Sequence, residues 1–307
     1  MMHRRDFLKY LAALSLTAGV GRRLVLPEEL WAMAPDQAPE PLVAQTQGPN
    51  YAHLVGDALQ ALGGMKKFVN PGEVVVVKPN MAWDRPPEMA ANAHPMVVRK
   101  VVELCLEAGA KQVKVLDRSC DDARKAYAAS GIKAAVEDIK DPRAVVEYVD
   151  ERRFVELTIE KAKNLKKWFF YKDILEADRF INIPVAKQHS ESRLTMCLKN
   201  MMGAIGGWRG RIHVGLHQNI ADMNLVLRPD LHVLDATRIL RRNGPKGGDV
   251  ADVEVKNLLF AGTDPVALDS VGAGLFGLKP ADLGYIVRAH QAGRGEMDLS
   301  KIKVVSS

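Results

Sequence analysis

The stretch Gly72-Glu73-Val74-Val75-Val76-Val77-Lys78-Pro79-Asn80 decides the fold class of this chain. Its four consecutive valines are apolar toward both sides of a strand, which is typical of a strand buried in a parallel sheet. The run ends abruptly in lysine, proline and asparagine. Such a strand is expected to deliver Lys78 and Asn80 to one edge of a sheet.

The segment that follows completes a strand–helix–strand unit. Pro95 suits the first position of a helix, and Gly109 suits a left-handed cap at its end. The run 113–116 predicts a second strand, which ends in Asp117. A crossover of this length implies that the two strands pair in parallel.

The same arrangement recurs along the chain. Further strands are expected at 144–149, 154–159, 180–183, 231–234, 258–260 and 302–305, with helices between several of them. Pro184 indicates the end of a strand or a bulge. The sequence therefore predicts an α/β fold with a mostly parallel open sheet flanked by helices, in a single domain of one or two lobes.

Polar residues stand at the ends of five predicted strands. In open α/β sheets, ligands bind outside the carboxyl ends of the strands, where the loops converge. These residues are therefore expected to line one pocket: Lys78 and Asn80, Asp117, Lys187 and His189, Asp235, and Thr263 with Asp264.

The segment 194–202 matches the apolar spacing of an amphipathic helix. Thr195 and Lys199 are four residues apart and could reach one target together with Lys187 and His189, which directly precede this segment. An anion site is one interpretation, since the helix amino terminus adds partial positive charge. A solvated helix face with a surface lysine is the other.

Glycines surround Trp208, with Arg209 and Arg211 beside it, and a second glycine-rich stretch spans 243–248. Both lack the pattern of a phosphate-binding loop. A lid or hinge is favoured for the first and a turn for the second, with a phosphate contact as the alternative for each.

Metal ligation rests on two histidines. His213 and His217 have the spacing that places two imidazoles on one helix face, but Gly215 between them disfavours a helix. Hydrogen-bonded loop histidines are the alternative interpretation. Asp264 combines with Pro265 as a helix start, so a structural role competes with a functional one, whereas Asp269 is less easily explained as a cap.

The three cysteines form no Cys-x-x-Cys pair. Cys105 and Cys197 lie on apolar stripes and are predicted to be inert core thiols. Cys120 follows a predicted strand in a loop and is the one candidate for reactivity, although a turn residue without a chemical role is the favoured interpretation. The sequence thus argues against a self-contained iron–sulfur cluster.

The amino terminus resembles a twin-arginine export signal. His3-Arg4-Arg5-Asp6-Phe7-Leu8-Lys9 precedes a moderately apolar run at 10–20. Candidate cleavage motifs are Ala32-Met33-Ala34 and Leu42-Val43-Ala44, and the stretch 35–49 has the composition of a linker. The expected organisation is a signal and linker over 1–44 and an α/β domain over 45–307. The expected location is the periplasm or another exported compartment, reached through the twin-arginine translocase.

Composition bounds the remaining classes. Of the 307 residues, 47% are hydrophobic and 26% are charged, which is typical of a globular protein. The net charge of +6 comes without a dense Lys/Arg run that includes aromatics, which disfavours a nucleic-acid partner and suits an acidic small ligand. Runs of about 18 apolar residues are absent from the sequence, so a permanent membrane span is not expected.

Several motifs, taken in order, resemble the domain of unknown function 362 family. They are the stretch 72–80, Lys187-x-His189, Thr195-x-x-x-Lys199-Asn200-x-x-Gly203, His213, Leu234-Asp235-Ala236, Asn243-Gly244-Pro245 and the stretch 261–269 that ends in Asp269. The resemblance spans about residues 70 to 305 and implies no agreed reaction. Some members are linked to ferredoxin-like segments with cysteine-rich motifs, which this chain lacks.

The leading hypothesis is an exported enzyme-like protein that binds a phosphate- or carboxylate-bearing small molecule, with a divalent metal left open as a cofactor. Lys78, Lys187 and Lys199 would bind the anion, His189 would transfer a proton, and Asp117, Asp235 and Asp269 would serve as metal ligands or bases. The candidate catalytic residues are His189, Lys187 and Asp117, and the candidate ligand-binding residues are Lys78, Asn80, Thr195, Lys199, Asn200, Asp235, Asp264 and Asp269. The alternatives are a redox accessory protein with a redox partner and a non-catalytic periplasmic binding module.

Overall fold

The structure, a computed structural model, describes residues 41–306. The paired arginines, the apolar run 10–20 and the motif Ala32-Met33-Ala34 lie outside these residues. In the described part of the chain, every helix is too short or too polar to cross a bilayer.

Ten strands of the described region form one sheet. In chain order the strands are β1 (Leu42–Gln47), β2 (Val74–Pro79), β3 (Gln112–Val115), β4 (Ala144–Val146), β5 (Phe154–Thr158), β6 (Lys167–Tyr171), β7 (Arg179–Ile183), β8 (Val185–His189), β9 (Arg193–Thr195), β10 (Leu231–Leu240), β11 (Val253–Gly262) and β12 (Lys303–Ser306). The order across the sheet is β12-β1-β11-β10-β7-β2-β3-β4, and β8 pairs with both β10 and β9. β5 and β6 form a separate antiparallel pair.

Most pairs in the large sheet are parallel, as the sequence predicts. The antiparallel pairs are β1–β11, β10–β11 and β8–β9. The predicted strand–helix–strand unit is confirmed, since β2 and β3 pair in parallel around the helix Pro95–Glu107. The fold is therefore an α/β sheet that is mostly parallel.

Helices cover both faces of this sheet. They are α1 (Tyr51–Ala61), α2 (Pro95–Glu107), α3 (Ala123–Ala129), α4 (Ile132–Glu137), α5 (Lys172–Glu176), α6 (Cys197–Asn200), α7 (Leu216–Met223), α8 (Pro265–Ala273) and α9 (Gly284–Gln291). Val75 and Val77 point into the core cluster under α1 and α2, while Val76 points into the cluster under α7 and α8. The valine run is thus apolar on both sides because both sides are buried.

The strand predicted at 231–234 is longer than expected. β10 continues to Leu240, so Asp235 lies within the strand. β11 then returns antiparallel to β10, with Gly262 opposite His232 at the start of that strand. Thr263 and Asp264 therefore lie at the opposite end of the sheet from Lys78 and Asp117.

The predicted helix over 194–202 is also corrected. Leu194 and Thr195 belong to β9, and Thr195 pairs with Lys187 of β8. The α-helix α6 includes only Cys197–Asn200, and a 3-10 turn follows at Met201–Ala204. The helical spacing arose because the apolar residues of this segment are buried in one core cluster, whichever conformation carries them.

The predicted linker ends sooner than expected. Leu42–Gln47 form β1, in which Val43 and Ala44 are buried and pair with Gly262 and Ala261. The second candidate cleavage motif, Leu42-Val43-Ala44, therefore lies inside a strand of the sheet, and the folded part includes these three residues.

Candidate functional site

A cavity of about 380 Å³ opens where β2, β3 and β8 end. Eight of the residues predicted as site residues line it: Asn80, Asp117, Lys187, His189, Thr195, Lys199, Asn200 and His213. Four cationic and two acidic side chains face the cavity, so its wall carries an excess of positive charge. The structure thus brings together the residues that follow β2 and β3 with those of β8, β9 and α6.

A buried ion pair forms the floor beside this cavity. The Nζ atom of Lys78 lies 2.7 Å from Oδ1 of Asp117, and both side chains are almost fully buried. Oδ2 of Asp117 accepts a hydrogen bond from the backbone N–H of Met81. Burial lowers the pKa of Lys78, and the Asp117 carboxylate opposes this shift. Because the two charges neutralise each other, the Lys78 ammonium is paired with Asp117 and is not available to a ligand.

Gly203 packs directly on this pair. A Cβ atom at position 203 would lie 1.8 Å from Oδ1 of Asp117 and 2.7 Å from Nζ of Lys78. The carbonyl oxygen of Gly203 also accepts the N–H of Arg118, the residue after Asp117. The glycine is thus required here for close approach of the backbone.

Lys187 has a different environment. Its Nζ donates to Oδ1 of Asn80 at 3.1 Å and to the carbonyl oxygen of Ala91, and it lies 5.9 Å from the centre of the Trp83 ring. Burial lowers the pKa of Lys187 to about 7; Cys120 opposes this shift, and the neighbouring Lys199 adds to it.

A chain of buried amides fixes Asn80. The Nδ2 group of Asn80 donates to Oδ1 of Asn200, and Nδ2 of Asn200 donates to Oδ1 of Asn182. Nδ2 of Asn182 in turn contacts Nδ1 of His232 and donates to the carbonyl oxygen of Cys197. This chain directs the Asn80 oxygen toward Lys187. Asn80 and Asn200 were predicted as site residues, whereas Asn182 and His232 were not.

Lys199 brings an ammonium group to the cavity without an acceptor among the described residues. Its side chain is 7% exposed and lines the cavity, yet within residues 41–306 its Nζ has no hydrogen bond and no ion pair. Burial lowers the pKa of Lys199 to about 8, while Cys120 and Glu191 oppose the shift. The hydroxyl of Thr195 is buried in the same wall and also has no partner in this part of the chain. The surface-lysine interpretation is therefore wrong.

His189 is held as a hydrogen-bond donor. Its Nδ1 accepts the backbone N–H groups of Glu191 and Ser192, so the proton of the neutral ring resides on Nε2. Burial lowers the pKa of His189 to about 3, and Lys199 and Lys187 add to this shift. The ring therefore offers an N–H rather than a lone pair to a ligand.

His213 and His217 do not share a helix face. Gly215 adopts φ +81° and starts α7, so His213 stays in the preceding 3-10 turn and only His217 is helical. Nδ1 of His213 lies 2.7 Å from Glu191, and its ring faces His189 at 6.4 Å. His217 packs on Tyr285 instead. The shared helix face that this metal pair requires is absent, because the glycine interrupts the helix.

Three predicted acidic residues lie outside the cavity wall. Asp235 accepts the N–H of His94 and two groups of Thr237, and Asp269 accepts the N–H groups of Cys197 and Leu198. Asp264 caps α8 and accepts the N–H groups of Val266, Ala267 and Glu296. In residues 41–306, His, Cys, Asp and Glu side chains form no group of three or more placed to hold a metal ion. These carboxylates do not fit the divalent-metal site that the sequence left open.

Two arginines belong to the wall: Arg118, which was not predicted from the sequence, and Arg209, which was considered there only as part of the glycine-rich loop. Arg118 forms a two-point ion pair with Glu151 and donates to the carbonyl oxygens of Ile205 and Gly207. Arg209 donates to the carbonyl oxygens of Arg118 and Ser119. Their guanidinium groups hold the loop after β3 against the glycine-rich loop. The glycine-rich loop is therefore fixed at the cavity by hydrogen bonds.

The three cysteines differ in their exposure to solvent. Cys105 and Cys197 are buried, and burial raises the pKa of each thiol. Cys120 is exposed and lines the cavity. The structure therefore matches the predicted placement of all three.

Two kinds of comparison relate the chain to known proteins. It is 28% identical over 243 residues to a thylakoid-associated protein of Synechocystis sp., an alignment that spans 76% of this chain and 73% of that protein. Among solved structures, it resembles the lactate racemase apoprotein of Thermoanaerobacterium thermosaccharolyticum with 12% identity and a TM-score of 0.41, over 80% of this chain and 58% of that one. A Thermotoga maritima protein gives 10% identity and a TM-score of 0.42, over 81% and 60%. The chain spans less than two thirds of either solved structure.

The family comparison covers the sheet and the cavity together. The sequence profile of the family described as a domain of unknown function (DUF362) matches residues 75–274, which include Lys78, Asp117, Lys187 and Lys199. This range is well over half of the chain and reproduces the resemblance carried by the ordered motifs. The chain belongs to the DUF362 family.

Proposed function

We propose that the cavity binds a small molecule that carries a carboxylate or a phosphate group. The unpaired ammonium of Lys199 is the observation that carries this proposal. An ammonium group on a largely buried side chain has lost part of its hydration, and no group of the described residues replaces it. An anionic ligand in the cavity would supply the missing partner.

The other cations support Lys199 as the ligand-binding group. Lys78 is paired with Asp117, and Arg118 is paired with Glu151. Lys187 and Arg209 already donate to oxygens of the protein. Among residues 41–306, Lys199 is thus the lining cation whose donors are all available, and the Thr195 hydroxyl adds an available donor.

Titration calorimetry with inorganic phosphate and with pyruvate, as separate probes, tests this proposal. Lys199→Met keeps an unbranched side chain that is one atom shorter and removes the charge. The variant is expected to lose about 10-fold or more in affinity for whichever probe binds, since a charge-assisted hydrogen bond contributes about 1.5–3 kcal/mol.

Lys66→Met is the matched control, because Lys66 is exposed and precedes β2, whereas the cavity opens where β2 ends. Its affinity should equal that of the unmodified protein. Equal affinity of the Lys199→Met variant and the unmodified protein would reject the site, and so would the absence of binding of both probes.

We further propose that the chain is exported through the twin-arginine translocase. The support is the sequence Arg4-Arg5-Asp6-Phe7-Leu8-Lys9 with the apolar run after it. Replacement of Arg4 and Arg5 by lysine should retain the protein in the cytoplasmic fraction of its host. Export of that double variant at the normal level would reject this route.

A further inference from the structure

Lys187 is buried without a carboxylate. It is 1% exposed, and its Nζ contacts two neutral oxygens, Oδ1 of Asn80 and the carbonyl of Ala91. In the described chain it has no ion pair, whereas Lys78, which is equally buried, has Asp117 at 2.7 Å. Two lysines of one cavity region thus differ in whether the protein balances their charge.

The two acceptors match the uncharged form of the amine. A neutral amino group has two N–H bonds and one lone pair. Asn80 and Ala91 accept two N–H groups, and the amide chain through Asn200 prevents Asn80 from turning its NH₂ group toward the lysine. The other neighbour of Nζ is the Trp83 ring, whose centre lies 5.9 Å away, so the described residues supply no third oxygen to accept an N–H, and Lys187 lines the cavity.

The neighbours of Lys187 supply what a proton transfer needs. Lys199 can hold an anionic group, and Thr195 has a free hydroxyl. His189 offers Nε2–H because its Nδ1 accepts two backbone N–H groups. His189 is therefore unsuited to the base role that the sequence suggested for it, and suited to stabilising a developing oxyanion.

We propose that Lys187 is a catalytic base that removes a proton from the carbon next to the keto group of a small 2-oxo carboxylate held by Lys199. This inference rests on the proposed anion site. The C–H bond breaks, its proton passes to the Nζ lone pair to give an ammonium, and its electron pair moves into the keto group to give an enolate. The Nε2–H of His189 and the Thr195 hydroxyl donate to the enolate oxygen. Return of a proton from Lys187 to the carbon completes an exchange without any co-reactant.

Burial agrees with this role. It lowers the pKa of Lys187 to about 7, so a substantial part of the amine is uncharged at neutral pH. A catalytic group is most effective when its pKa lies near the working pH.

Proton NMR in D₂O with pyruvate as the probe tests the inference. The protein should accelerate the replacement of the methyl protons of pyruvate by deuterium. Lys187→Met should lose at least 100-fold of this acceleration, because general-base catalysis contributes about 10²–10⁴-fold. Lys187→Arg keeps a charge but has no available lone pair near neutral pH, and it should be equally inactive. Lys66→Met should retain the full rate.

The outcomes are separated by calorimetry with pyruvate and by borohydride treatment followed by mass spectrometry. Full exchange activity in Lys187→Met overturns the inference. Pyruvate binding to the unmodified protein without exchange also overturns it, but leaves the proposed anion site supported. Phosphate binding without pyruvate binding overturns the 2-oxo carboxylate. A borohydride-trapped pyruvate adduct on Lys187 overturns the base role in favour of an imine. Binding of neither probe rejects the proposed function itself.

Discussion

The two ends of the sheet contrast in how their polar side chains are satisfied. At the end where β2, β3 and β8 stop, the ammonium of Lys199 and the hydroxyl of Thr195 lack partners within the described residues. At the other end, the carboxylate of Asp264 accepts three backbone N–H groups. Both ends carry polar residues that are at least partly buried, so burial alone does not identify a site. Two donors without partners that line one cavity, Lys199 and Thr195, are a stronger indication, because a ligand in that cavity could bind both.

The largest expected effect comes from breaking the fully buried ion pair of the cavity region. Asp117→Ala leaves the Lys78 ammonium buried without its carboxylate and removes the acceptor of the Met81 N–H. We expect a loss of about 3–5 kcal/mol in the free energy of unfolding, measured by urea denaturation at pH 7.

A double variant separates charge from packing in that experiment. Lys78→Met with Asp117→Asn removes both charges and keeps an oxygen for the Met81 N–H. It should recover most of the lost stability, since paired removal of buried charges is often nearly neutral. A double variant as unstable as Asp117→Ala would show that the pair is not what stabilises this end.

The next effect tests the close approach of the backbone to that pair. In Gly203→Ala the added Cβ would meet Oδ1 of Asp117 and Nζ of Lys78. Overpacking of this kind costs about 1–3 kcal/mol, and the expected cost is near the upper limit because both contacted atoms are buried and paired. Gly274→Ala is the matched control, since a Cβ at that position has no atom within 4 Å. Equal stability of the two variants would contradict the packing of Gly203.

The sequence predicted individual helices and strands better than the direction in which consecutive strands pair. The valine run and the Pro95 and Gly109 signals placed β2 and α2 correctly, because these elements are specified by neighbouring residues. The direction of β11 was not predictable in the same way, since the loop 241–252 permits either a parallel or an antiparallel return. That single direction moved Asp264 to the far end of the sheet.

The sequence predicted which residues meet at the cavity better than what each of them contacts. Lys78, Lys187 and Lys199 all appear as interchangeable cations in the sequence. Their difference comes from partners distant along the chain: Asp117 for Lys78, Asn80 and Ala91 for Lys187, and none for Lys199 within residues 41–306. Likewise, the Gly203 requirement is invisible until the backbone approaches Asp117 in three dimensions. Asp269, chosen because it was hard to explain as a cap of its own helix, proved to hold the start of α6.

Asp269 is a carboxylate with hydrogen bonds to both oxygens, and it holds the segment that carries Lys199, whose ammonium has no partner among the described residues. It is fully buried, and its two oxygens accept the N–H groups of Cys197 and Leu198 at 2.7 and 3.1 Å, at the start of the segment that carries Lys199. Asp269→Ala should lower the free energy of unfolding by about 1–3 kcal/mol, because two buried donors lose their acceptor. Affinity for the anionic probe should also fall, since Lys199 loses its fixed position.

Asp269→Asn and Asp57→Ala sharpen that test. The asparagine variant keeps one acceptor oxygen, so its stability should lie between those of the alanine variant and the unmodified protein. Asp57 lies on α1, away from α6, and its replacement should change neither stability nor affinity. Loss of stability without loss of affinity in Asp269→Ala would limit the residue to a structural role.

The smallest effect is a change in the pH dependence of stability, and it measures the charge imbalance of the cavity directly. Burial lowers the pKa of Lys187 to about 7, whereas a lysine in the unfolded chain titrates near 10.5. Between these values the unfolded state binds one proton more than the folded state at this position, so stability rises with pH through that window. Lys187→Met removes this contribution and should reduce the slope of unfolding free energy against pH by up to about 1.4 kcal/mol per pH unit between pH 7 and 9. Lys66→Met should leave the slope unchanged. A Lys187→Met slope equal to that of the unmodified protein would mean that Lys187 stays charged when folded, and the contrast between Lys187 and Lys78 would then lose its physical basis.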